Sequence, residues 1–130
     1  MMRKQYYFRQ SSRGLLAWDV DQLVARTRDF PVLQIPLADI REIREPFSPE
    51  FDEPPSWKCI VEHIRLIDTA DLCFPIILSS EGRVMDGMHR VIKALLMNRT
   101  TIDAVRFTTD PEPDCIDIDP SQLPYDEIVS

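Results

Sequence analysis

The sequence predicts an α/β (α+β) fold, a small mixed β-sheet flanked by helices, on three observations. Apolar residues recur at helical spacing in 57–67 and again in 88–95. Short β-rich runs, "VLQIPL", "FPIIL" and "TIDAVRF", alternate with those helical stretches. The chain has 130 residues, 44% hydrophobic and 28% charged, which suffices for one core but not two.

Residues 1–14 read as a basic arm, with Arg3, Lys4, Arg9 and Arg13 and no acid. Tyr6, Tyr7 and Phe8 among these cations suit stacking on nucleic acid. The plainer reading, an edge strand, is preferred. "WDVDQLVARTRDF" (18–30) predicts a short helix capped by Asp19 and stopped by Pro31. A strand follows at 32–37. "REIREPFSPEFDEPPS" (41–56) holds four prolines and is expected to be a long surface loop.

"SWKCIVEHIRLID" (56–68) predicts a helix capped by Ser56, with Trp57, Ile60, Val61, Ile64 and Ile67 on its apolar face. A hairpin is expected next, with strands 75–79 and 83–86 joined by Ser80-Glu81-Gly82. The helix at 87–97 places Met88, Val91, Ile92 and Leu95 on one face, with Asn98 at its C-terminal cap. Residues 101–107 form a final strand, drawn at the sheet edge. The expected organisation is an arm (1–14), a central domain (15–109) and an acidic tail (110–130).

The net charge of −7 sits entirely in the last 21 residues, which carry seven acids and no Lys or Arg. The remainder is neutral, which argues against a general nucleic-acid binder with a basic face. No apolar run approaches the ~20 residues that span a bilayer, so no membrane partner is expected. "MMRKQYYFRQ" lacks the apolar middle of a signal peptide. Cys59, Cys73 and Cys115 are odd in number and share no short spacing, which fits reduced thiols in the cytoplasm.

"VMDGMHR" (84–90) carries the chemistry. An acid, a glycine, a histidine and an arginine meet where a strand turns into a helix. The first turn of a helix presents unpaired N–H groups and partial positive charge, a natural seat for phosphate. Gly87 allows the sharp turn and close approach of a ligand to the backbone. His89, Arg90 and Lys93 crowd potential cations where the dipole disfavours them, so an anion is expected among them. Asp86 has two readings: the N-cap of the helix, which the spacing favours, or a carboxylate for Mg2+ or a hydroxyl.

"RVMDGMHRVIKALLMNRTTIDAVRF" resembles the signature of the ParB/sulfiredoxin superfamily, and "VLQIPLADI" and "IVEHIRLIDTADLCFPIIL" are similar to the segments that precede it there. The resemblance covers roughly residues 32–108. It implies a nucleoside triphosphate, ATP or CTP, with Mg2+ as cofactor. The matching positions are Gly87, Met88, His89 and Arg90, with Lys93 one turn on and Asp86 at the acid of the signature. Relatives with kinase activity place a working acid just after the first strand, which here points to Glu45, or its neighbour Glu42. Sulfiredoxins require a cysteine where Met88 stands, and a thioether forms no thiolate, so sulfinate reduction is excluded. Partition proteins continue into a helix-turn-helix domain for which this sequence has no counterpart.

The functional expectation is therefore an NTP phosphate-binding, ParB-like domain. If it is an enzyme, phosphoryl transfer or nucleotide hydrolysis would act through Asp86, Glu45 and His89, with Asp86 on the metal and a small-molecule acceptor. The alternatives are a DNA-binding or nuclease-like module using the same corner, and a non-catalytic regulator whose acidic tail docks on a partner or covers the basic corner. A homodimer is left open. Cys59 and His63 lie four apart on one helix, a metal-ligand spacing, but no further ligand motif completes a set, so packing at the core edge is preferred; His63 would face the phosphate corner if its helix packs alongside it.

Overall fold

A computed structural model describes residues 5–45 and 56–123 and shows two sheets and three helices. Strand β1 (Tyr6–Ser11) pairs antiparallel with β2 (Gly14–Asp19) across a tight turn. Helix α1 (Val20–Arg26) begins directly after β2, where the Asp19 side chain accepts the N–H of Asp21 as an N-cap. It ends one turn earlier than expected, because Thr27 turns its hydroxyl back onto the carbonyl of Leu23. Strand β3 (Leu33–Pro36) follows, and short 3-10 turns then carry the chain to Glu45.

Helix α2 (Trp57–Thr69) is capped by Ser56, whose hydroxyl accepts the N–H of Cys59. Strands β4 (Ile76–Leu78) and β5 (Val84–Asp86) form the expected hairpin. Helix α3 (Met88–Leu96) leads to β6 (Thr101–Arg106), and Asn98 between them adopts the left-handed conformation that ends a helix. A two-residue strand, β7 (Cys115–Ile116), closes the first sheet.

The sheets have the orders β1-β2-β7 and β3-β6-β4-β5. β6 lies inside the second sheet, antiparallel to β3 and parallel to β4, and not at the edge. The reason is burial on both faces. Ile102 and Ala104 pack with Ile76, Leu78 and Val91 on the α3 side. Val105 and Phe107 pack with Ile77, Trp18 and Leu23 on the other. The second sheet is thus sandwiched between α3 and the layer formed by β2 and α1.

The N-terminal end follows its preferred reading, and the C-terminal end differs from expectation. The stretch read as an arm is the edge strand β1, and Tyr7 packs on Trp18 with ring centroids 5.6 Å apart. The first part of the acidic tail is built into the fold. Asp110 binds Arg9 and the N–H of Ser80, Pro111 accepts the Trp18 indole N–H, and Leu123 is buried. Among the described residues no helix is long and apolar enough to cross a membrane.

Candidate functional site

Strand β5 ends at Asp86, and Gly87 bridges it to α3 in a left-handed conformation, φ 107°. An added Cβ there would lie 2.6 Å from Cγ2 of Ile76 and 2.8 Å from Nη2 of Arg90. The glycine is therefore demanded by packing beneath the turn, where the sequence suggested room for a ligand. Gly87 itself is the N-cap, so Asp86 does not cap the helix. No side chain caps α3 and no acid stands in its first turn, which leaves the first-turn N–H groups without a side-chain acceptor.

The carboxylate of Asp86 reaches forward to Arg90, Oδ2 to Nη2 at 2.9 Å. Both side chains are largely enclosed, 18% and 16% exposed. Arg90 Nη1 also donates to the carbonyls of Phe74 and Pro75, each at 3.2 Å. The guanidinium thus ties the exit of β5 to the entry of β4. Lys93 donates to the carbonyls of Asp68 and Ala70, both at 2.8 Å, and neutralises the negative end of α2. It stands in the last turn of α3, where the dipole favours a cation, and not at the helix start where the sequence suggested it.

His89 Nε2 lies 2.8 Å from Nδ1 of His63, a hydrogen bond between α3 and α2. Burial holds the pKa of His89 below the ordinary histidine value; the nearby His63 lowers it further, and Asp86 opposes both. His89 is a neutral hydrogen-bonding group at pH 7, not the third cation the sequence suggested. The packing of α2 against α3 brings His63 to this corner, the arrangement the sequence left open beside its spacing from Cys59. Met88 packs against the core on the α3 face of the sheet.

Glu45 is elsewhere. Both its carboxylate oxygens bind Nη1 of Arg83 at 2.6 Å, at the start of the β5 hairpin arm. Three strand residues, about 10 Å, separate Arg83 from Asp86, so the structure does not bring the two candidate acids together. Glu42 accepts the N–H of Val84 at 2.5 Å, and its other oxygen is buried without a hydrogen bond, 3.8 Å from Arg83. Among the described residues no group of three or more His, Cys, Asp or Glu side chains could hold a metal ion. The carboxylate of Asp86 engages Arg90.

A cavity of about 260 Å³ opens beside the corner. Val24, Phe30, Val32, Phe74 and Val105 form its apolar walls, and Asp86 and Arg90 close one end. A hollow of about 320 Å³ near Gln34 and Asp103 contains none of the candidate residues, and its polar lining at a strand edge gives it no link to this chemistry.

The N-terminal aromatics and their arginine make contacts within the fold. Arg9 stacks over Trp18, 4.8 Å from the ring centroid, and pairs with Asp110 at 2.9 Å. The described part of the acidic segment therefore packs against the N-terminal sheet.

No family model matches this chain. No curated protein and no solved structure matches it either. The resemblance to the ParB/sulfiredoxin superfamily rests on the quoted motif residues alone.

Proposed function

We propose that the domain binds a nucleoside triphosphate with Mg2+ at the junction of β5 and α3, by exchange of partners within the corner. The observation that carries this reading is the start of α3, where uncapped N–H groups and a guanidinium stand together with no acid in the first turn. The amides would take phosphate oxygens, and Arg90 would turn from Asp86 to the same anion. One charge-assisted bond replaces another, so the swap leaves no buried charge without a partner. Asp86, released, becomes the carboxylate for Mg2+ or for an acceptor hydroxyl. The adjoining cavity supplies an apolar wall for the base. Phosphoryl transfer or nucleotide hydrolysis is the class of reaction such a site serves, because it relies on positioning and charge neutralisation.

The test follows thermal unfolding with ATP, CTP and GTP, with and without Mg2+. A ligand at about 100 times its Kd stabilises by roughly 2.7 kcal/mol. In the absence of Mg2+, Asp86→Asn removes the competing carboxylate and is expected to tighten nucleotide binding. No shift with any nucleotide, or weaker Mg2+-free binding by Asp86→Asn, overturns the proposal.

A further inference from the structure

Helix α2 is amphipathic over 13 residues, yet none of its residues is fully buried. Ile60 and Ile67 turn inward together with Cys59 and His63, all half-buried. The remaining apolar side chains at helical spacing, Trp57, Val61 and Ile64, stay 84%, 43% and 56% exposed. They form a stripe at i, i+4 and i+7 on the flank of α2. A tryptophan so open to water at one end of such a stripe marks a surface that a partner covers.

The charges on α2 say which partner. Lys58, Glu62, Arg65 and Asp68 are two cations and two anions. None of these four side chains has a hydrogen bond or ion pair among the described residues. Laid antiparallel against a second α2 with Val61 opposite Ile64 of the other copy, the helix is self-complementary. In that register Glu62 falls beside Arg65 of the second copy, and Lys58 beside its Asp68. Two-fold symmetry makes each contact twice. Residues that far apart along two facing helices meet within about one residue's rise, 1.5 Å, to two, ~3 Å. A lipid surface fits less well, because a helix with balanced charge has no attraction to anionic headgroups.

We infer that α2 is a homodimer interface, in which two copies pack antiparallel through Trp57, Val61 and Ile64. The inference does not depend on nucleotide binding. Sedimentation of the full chain from micromolar to millimolar concentration tests it, with tryptophan emission as a second readout. Trp18 is buried at 2% exposure, so changes in quenching report Trp57. The expected result is a doubling of mass, accompanied by a blue shift and protection of Trp57 from quencher. Val61→Glu remains monomeric while keeping the wild-type helical signal and unfolding temperature. Glu62→Lys weakens the dimer roughly tenfold, from two lost pairs and two new repulsions, and adding Arg65→Glu restores it. A monomer at every concentration overturns the inference, as does a dimer indifferent to Val61→Glu. Failure of the double variant to recover, or binding to anionic vesicles by a chain that never self-associates, also overturns it.

Discussion

Arg90, Lys93 and His89 each satisfy a neighbour within the fold: a carboxylate with two carbonyls, the end of a helix, and a second imidazole. Their residue types and positions were legible in the sequence, and the anion site was inferred from their crowding at one helix start. No local pattern joins them to Phe74, Asp68 and His63, which stand 16 to 26 residues away. The histidine pair has a measurable consequence. The folded-state pKa of His89 lies below the ordinary ~6.5, so in acid the unfolded chain takes up the proton first. The stabilisation is complete above that value and is lost as pH falls below it. Unfolding temperatures followed from about pH 7.5 to about pH 5 are expected to drop more steeply for the wild type than for His89→Gln. Parallel curves would contradict this account.

At the scale of elements, periodicity located α2, α3 and the β4–β5 hairpin, and Asp19, Ser56 and Asn98 marked helix ends as expected. β2 escaped, because "GLLAWD" is a nearly unbroken apolar run whose strand character depends on pairing with β1. The junction between β5 and α3 is far more constrained than the turn of the β4–β5 hairpin. Gly82 and Gly87 both have positive φ, but the nearest atom to an added Cβ is 3.9 Å away at Gly82 and 2.6 Å at Gly87. Gly82→Ala therefore meets backbone strain alone, about 1 kcal/mol. Gly87→Ala adds a clash with Ile76 and is expected to cost about 3 kcal/mol. Urea unfolding of the two variants compares these costs directly, and equal losses would refute the role assigned to Ile76.

Across the whole molecule, the acidic segment is a structural component. Asp110 is held below the ordinary carboxylate range. Burial acts against the charged form, but the N–H of Ser80 and the guanidinium of Arg9 outweigh it. Asp114 accepts the N–H of Asp19 at 2.7 Å, and Pro111 holds the buried Trp18 indole. Removing residues 110–130 deletes these bonds. At about 1 kcal/mol each, the expected loss is roughly 3–5 kcal/mol, a large part of the 5–15 typical of a domain. A truncated chain that melts like the full one would show that the segment only rests on the surface. Residues 110–117 lie against β2.

The sequence by itself determined most element types, the N-caps of α1 and α2, and the direct passage of one β-strand into one helix at Asp86-Gly87. Those properties are set by interactions within a few residues: hydrophobic period, turn chemistry and the first-turn N–H groups of a helix. Only the tertiary structure decided that β6 is central and that the acidic segment belongs to the N-terminal sheet. It also decided that Arg90 is tied to Asp86 and to the carbonyls of Phe74 and Pro75. These depend on which distant carbonyls, carboxylates and rings are brought within hydrogen-bonding reach, and no local pattern encodes that.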